Sequence, residues 1–261
     1  LRRNRTKRHA SGEFFVEGVR AINQALQARW SIQAWIYSRE QRLSDWAAGI
    51  LSQSPAPRHY ELPLALLQKL SQKEDTSELL ALAAIPPDDL GRIPAARLVM
   101  VLDRPASPGN LGAIIRSCDA LGADGLVITG HAVDLYDPET IRATTGSFFN
   151  VPSVRLESHT RLAAWLETLR HASGAWQVVG TSAKAKVLLQ EHDFSAPTVL
   201  LVGNETHGLS QNMRGLCDHL VTIPMAGSAS SLNVANAASI FLYEIARQQG
   251  RLIPPQAGME Q

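Results

Sequence analysis

The chain has 261 residues, 45% of them hydrophobic and 19% charged, with a formal net charge of +1 at pH 7. That length suits one large domain or two small ones with ample material for a core, and the composition is that of neither a disordered nor a collagen-like chain. No apolar run approaches the roughly eighteen residues of a spanning helix, none follows the basic N-terminus as a signal peptide requires, and Cys118 and Cys217 lie far apart without metal-ligand spacing. A cytoplasmic protein with no membrane segment and no bound metal is expected.

Positive charge concentrates at the N-terminus in Arg2, Arg3, Arg5, Lys7 and Arg8. Such a run suits a phosphate backbone, and it equally suits a solvated, disordered tail. Residues 14–16 read as a short strand. Residues 17–29 have helical spacing, with Val19, Ile22 and Leu26 on one face. A second strand is expected at 32–37, and helices near 43–51 and 64–70. This part is a small α/β unit without a nucleophile–base pair. The stretch from Ile85-Pro86-Pro87-Asp88-Asp89 to Pro94 has the composition of a linker, which divides the chain into domains 1–94 and 95–261.

Beyond the linker, β-branched apolar runs at 98–102, 126–129, 178–181, 199–202 and 221–223 alternate with helical patterns at 111–121, 138–145, 160–171, 212–217 and 232–247. Alternation of this kind predicts an α/β fold, a mostly parallel sheet with helices on both faces. Ligands of such sheets bind at the carboxyl ends of the strands, so the loops there are where chemistry is sought.

Three of those loops stand out. The first runs from Asp103 to Arg116. Asn110 is placed there to cap the following helix, with Arg116 six residues on. Taken alone, this loop is more simply a capped helix with a surface arginine. The second is Gly203-Asn204-Glu205-Thr206-His207-Gly208-Leu209. Two glycines frame a carboxylate and allow backbone to approach a ligand closely. An ordinary turn with an exposed acid is the alternative, and a lone loop histidine such as His207 is more often solvated than catalytic. The third runs from Ile223-Pro224-Met225 through Ser231-Leu232-Asn233 into an alanine-rich helix. Ser231 or Asn233 can cap that helix or reach a ligand.

Taken together, Asn110-x-Gly112-x-x-x-Arg116, Gly203-Asn204-Glu205-x-x-Gly208-Leu209 and Ile223-Pro224-Met225 with Ser231-Leu232-Asn233-x-Ala235-x-Ala237 resemble, in order and spacing, the three motifs of the SpoU/TrmH family. That family comprises RNA 2′-O-ribose methyltransferases of the SPOUT class. The likeness covers residues ~98–248, and Gly12-Glu13-Phe14-Phe15-Val16-Glu17-Gly18 resembles the start of the family's RNA-binding domain, which is built like a ribosomal protein. Asp103-Arg104-Pro105-x-Ser107-Pro108-Gly109-Asn110, Tyr136-Asp137-Pro138 and the residues 225–231 are similar to antibiotic-resistance methyltransferases of the avilamycin type, which act on large-subunit ribosomal RNA. Resistance and housekeeping roles both stay open.

The resemblance implies a trefoil knot formed by the second and third loops, S-adenosylmethionine as cofactor, an RNA substrate, most closely 23S ribosomal RNA, and a homodimer. It assigns the cofactor to Thr181, Gly203, Asn204, Gly208, Ile223, Met225, Ser231 and Leu232. Arg116 is the implied catalytic arginine, with Asn110, Glu205, Ser231 and Asn233 orienting it and the ribose. A guanidinium keeps its proton, so Arg116 suits positioning and charge stabilisation better than literal base chemistry. A catalytically dead relative would lack one or more of these residues, and a dinucleotide oxidoreductase would carry the glycine fingerprint absent here after residue 102.

Overall fold

A computed structural model describes residues 1–71, 76–94, 96–173 and 175–252. Ala95 and the segment 253–261, the two ends of the expected second domain, lie outside them.

The chain opens with α1 (Arg5–Ser11), capped by Asn4 and closed by Gly12 in the left-handed region at φ 65°. There follow β1 (Glu13–Glu17), α2 (Val19–Gln27), β2 (Ile32–Tyr37), α3 (Asp45–Gln53), β3 (Arg58–Glu61), α4 (Leu64–Leu70) and β4 (Leu79–Ala84). The four strands form one sheet in the order β1-β4-β2-β3. β4 pairs antiparallel with β1 and β2, and β3 pairs parallel with β2 at the edge. The alternative of a disordered basic tail fails here. Arg5 to Ser11 are helical, and Arg8 is only 2% exposed. Its guanidinium donates to Asp134 at 2.6 and 2.9 Å and to Asp137 at 3.0 Å. A buried cation needs such paired carboxylates to offset its desolvation, so Arg8 is structural and takes no part in a phosphate surface.

The remaining elements are β5 (Leu98–Asp103), α5 (Pro108–Ala120), β6 (Gly125–Thr129), α6 (Pro138–Ala143), β7 (Ser153–Leu156), α7 (His159–Ser173), β8 (Gln177–Thr181), β9 (Val187–Leu188), β10 (Thr198–Val202), α8 (Gln211–Arg214), β11 (His219–Thr222) and α9 (Val234–Gln248). Their sheet has seven strands in the order β7-β6-β5-β10-β8-β11-β9, every pairing parallel. Its central strands are buried on both faces, as their continuous Val/Leu/Ile runs require.

The chain forms two compact units that interleave in sequence. The first is Leu1–Pro87 with Ser107–Arg116 and Val133–Asn150; the second is Asp88–Ala106, Ser117–Ala132 and Val151–Gln261. Aromatic packing explains why 133–150 joins the first. Phe14 packs against Trp30, Tyr136, Phe148 and Phe149, with ring centroids 5.1 to 6.4 Å apart. The Trp30 indole donates to the Phe149 carbonyl at 3.0 Å. Gly112 does the same for the start of α5. A Cβ there would stand 2.4 Å from the Ala143 Cβ on α6, so only glycine lets the two helices meet this closely.

Candidate active site

In the second unit, the carboxyl ends of β8, β10 and β11 and the start of α9 enclose a cavity of about 460 Å³. This is the end of a parallel sheet at which ligands bind, and the volume lies in the range of small-molecule sites. Residues 181–184 form one wall, 202–208 another, and 221–223 with Met225, Ser231 and Leu232 a third. Arg214 of α8 with Val234, Ala237 and Phe241 of α9 complete it. All eight residues that the family resemblance assigns to the cofactor line this one cavity.

Glycine geometry builds the second wall. A Cβ on Gly203 would lie 2.1 Å from the Gly208 carbonyl carbon and 2.2 Å from the Leu209 nitrogen. The excluding atoms belong to the loop itself, which corrects the sequence argument: Gly203 is required for the loop to close, before any ligand arrives. Asn204 and Gly208 exchange backbone hydrogen bonds at 3.1 and 2.9 Å, and Gly208 sits at φ 64°. The Asn204 Oδ1 accepts from the Thr206 and His207 amides at 2.9 and 3.2 Å, while its Nδ2 donates to the Arg104 carbonyl at 2.8 Å. Asn204 is therefore the internal brace of a tight turn. His207, exposed, lies on that turn with Nδ1 3.2 Å from Asn204 Oδ1.

The Glu205 carboxylate accepts from the Ala106 amide at 3.0 and 3.3 Å. Asp103, buried at the end of β5, accepts from the Ser210 amide at 2.7 Å and pairs with Arg104 at 3.0 Å. Burial pushes the Asp103 carboxyl up, but the hydrogen bonds from Arg104 and Ser210 outweigh it and hold the group below the usual carboxylate range. Asp103 is thus charged wherever the protein is folded near neutrality.

At the third wall Asn233 is the N-cap of α9, its Oδ1 accepting from the Ala235 amide at 2.8 Å. Of the two residues that sequence reading left open for this cap, Asn233 takes it. Ser231 is exposed in the cavity lining. Met225 and Leu232, 40% and 38% exposed, are large apolar side chains on the cavity wall. The residues present fit S-adenosylmethionine. Small and apolar walls suit a purine. The charged groups of the lining are Glu205, Lys184 and Arg214, matching a ligand that carries both an ammonium and a carboxylate. Among the described residues, no group of three or more His, Cys, Asp or Glu is placed to hold a metal ion, and no helix is long and apolar enough to cross a membrane.

Asn110, Arg116 and Asn233 are not among the residues lining the cavity. Helix α5 begins at Pro108, with Ser107 at its cap position: the Ser107 Oγ accepts from the Asn110 amide at 3.3 Å and its carbonyl accepts from Leu111 at 3.0 Å. The expected cap at Asn110 moves to Ser107, the smaller hydroxyl residue that precedes the prolyl first position, and Asn110 falls in the first turn. Arg116 is exposed and pairs with no other described residue. Sequence reading missed Lys184, Arg214, Thr222 and Phe241 in the lining, and it gave Asp103 and Arg104 no role. The usable signal was position, since Asp103 closes a strand and Lys184 follows one.

A model of the SpoU rRNA Methylase family matches residues 97–243, and a model of the SpoU L30e-like domain matches residues 1–81. The chain is 46% identical over 248 residues to the 23S rRNA (uridine(2479)-2′-O)-methyltransferase of Streptomyces viridochromogenes, covering 94% of this chain and 86% of that protein. It is 30% identical over 245 residues to the 23S rRNA (guanosine(2553)-2′-O)-methyltransferase RlmP of Bacillus subtilis, covering 94% and 91%. The crystal structure of the SpoU methyltransferase AviRb from Streptomyces viridochromogenes in complex with AdoMet matches at a TM-score of 0.89 and 46% identity, covering 94% of this chain and 93% of that one. Fold, motif order and sequence agree, and the chain belongs to the SpoU rRNA methylase family.

Proposed function

We propose that this enzyme methylates a ribose 2′-hydroxyl of 23S ribosomal RNA, as the Streptomyces and Bacillus relatives are named for doing. The observation that carries the reading is that one cavity at the strand ends is lined by Thr181, Gly203, Asn204, Gly208, Ile223, Met225, Ser231 and Leu232 together. Bound there, S-adenosylmethionine supplies an electrophilic methyl group. The chain's own part is orientation and charge. Arg116 donates to the ribose 2′-oxygen, holds it in line and stabilises the negative charge that grows as its proton leaves to water. Glu205 and Asn233 act from anchored positions, one on the Ala106 amide and the other on the α9 cap; Asn110 and Ser231 complete the orienting set. Residues 1–94 recognise the RNA and residues 95–261 carry the transfer. The protein works in the cytoplasm as a homodimer, with the knot of its family and in either a resistance or a housekeeping setting.

Incubating the protein with radiolabelled S-adenosylmethionine and unmodified 23S ribosomal RNA tests the reading. Nuclease digestion and mass mapping are expected to find one 2′-O-methylated nucleotide. Label on a base, or a cofactor-binding protein that transfers nothing to any ribosomal RNA, overturns it.

A further inference from the structure

The loop 203–210 is held from outside the cavity by the last residue of β5 and the short segment after it. Asp103 is 3% exposed and takes the Ser210 amide at 2.7 Å. Arg104 pairs with Asp103 through Nε at 3.0 Å and Nη2 at 3.2 Å. Its carbonyl takes the Asn204 side-chain amide at 2.8 Å, its Nη2 stands 3.5 Å from the Gly208 carbonyl, and Ala106 donates to Glu205. Four positions of the loop, 204, 205, 208 and 210, are therefore tied to residues 103–106. Arg104 achieves this from the left-handed region at φ 55°, its Cγ packed where a Cβ on Gly130 would come within 2.7 Å. Nothing in β5 as a strand calls for that conformation, and an extended residue at 104 would turn the carbonyl away from Asn204.

We infer that Asp103 and Arg104 are positioning residues of the methyl-transfer site, a clamp that holds the loop 203–210 in the shape that receives the cofactor. The inference rests on the reading of the cavity as the S-adenosylmethionine site. Asp103 fixes the far end of the loop through Ser210 and fixes Arg104 through its guanidinium. Arg104 fixes the near end through its backbone carbonyl, and neither residue lines the cavity.

The clamp acts through the backbone of residue 104, which gives a split that a merely charged or reacting arginine does not. Arg104→Val, β-branched and averse to the left-handed region, is expected to weaken S-adenosylmethionine binding about tenfold or more by calorimetry. Arg104→Gly is expected to recover it to within about threefold, since glycine adopts that conformation freely. The single-turnover rate at saturating cofactor stays near wild type in both. Equal loss of affinity in the two variants overturns the inference, and so does a lost rate at unchanged affinity. If Arg104→Val does not fold, Asp103→Asn decides: weaker cofactor binding in a folded protein supports the clamp, and wild-type binding overturns it. Amide hydrogen exchange of residues 203–210 without cofactor separates this from the site assignment. Faster exchange in Arg104→Val and Asp103→Asn supports the clamp even if wild-type protein binds no S-adenosylmethionine, an outcome that would instead refute the cofactor reading; unchanged exchange in those two variants overturns the clamp.

Discussion

Arg116 and Arg8 show how differently two arginines of one basic chain are used. Arg8 is buried against two carboxylates, whereas Arg116 is exposed on α5 and pairs with no described residue. A guanidinium without a carboxylate partner has its planar donor fork available for substrate oxygen. Arg116→Ala is therefore expected to leave S-adenosylmethionine affinity nearly intact and to lower the single-turnover rate by roughly 10²-fold or more, the scale seen on removing a preorganised transition-state donor. Arg116→Lys should not restore the rate, because a point charge cannot reproduce the fork. A normal single-turnover rate in folded alanine variant sinks the catalytic assignment, and loss of RNA affinity alone makes Arg116 a phosphate clamp.

At the scale of elements, α1 presents Arg5 and Lys7 exposed, with Arg3 just before it, while Arg8 turns inward. Removing residues 1–9 would confound charge with stability, since breaking a buried pair such as Arg8–Asp134 costs about 3–5 kcal/mol. The triple variant Arg3→Ala, Arg5→Ala, Lys7→Ala keeps that pair. If these residues touch phosphates, RNA affinity falls and the slope of log K against log salt flattens by about 0.7 to 0.9 for each phosphate that is no longer neutralised. Cofactor binding should not change. An unaltered slope removes α1 from the RNA surface.

Five strands of the large parallel sheet, β5, β6, β8, β10 and β11, were legible because each is an apolar run rich in branched residues, and their observed bounds differ from the reading by two residues or fewer at each end; β7 and β9, four and two residues long, are too short to show a pattern and were not read. β4 was not legible. Its Leu-Leu-Ala-Leu-Ala-Ala stretch lacks β-branched residues and has no strand preference of its own, and pairing with β1 on one side and β2 on the other decides its state. β3 has no apolar alternation because it lies at an edge, where only one neighbour constrains it. The cofactor loops were read from motif resemblance, not periodicity. That is why Gly203 received a ligand-based reason when its own loop excludes a side chain, and why Asp103 and Arg104, whose work is done by a backbone angle and a buried carboxylate, were passed over.

For the whole molecule, the proposed homodimer asks a second duty of α9. Val234, Ala237 and Phe241 line the cavity, while Ile240 and Tyr243, three residues apart, are 39% and 52% exposed. Burying an apolar side chain of this size contributes about 1.5–3 kcal/mol, so this exposed pair is a candidate centre for the proposed homodimer. A twofold interface presents the same patch from both subunits, and a carboxylate placed in it meets its own copy and must be desolvated. Ile240→Asp with Tyr243→Glu is therefore expected to halve the mass found by light scattering while far-UV circular dichroism stays helical. Because the cavity face of the same helix is untouched, any weakening of S-adenosylmethionine binding that accompanies dissociation reports coupling between assembly and the site. Wild-type protein that is monomeric at micromolar concentration, or a double variant that remains dimeric, removes α9 as the dimer contact.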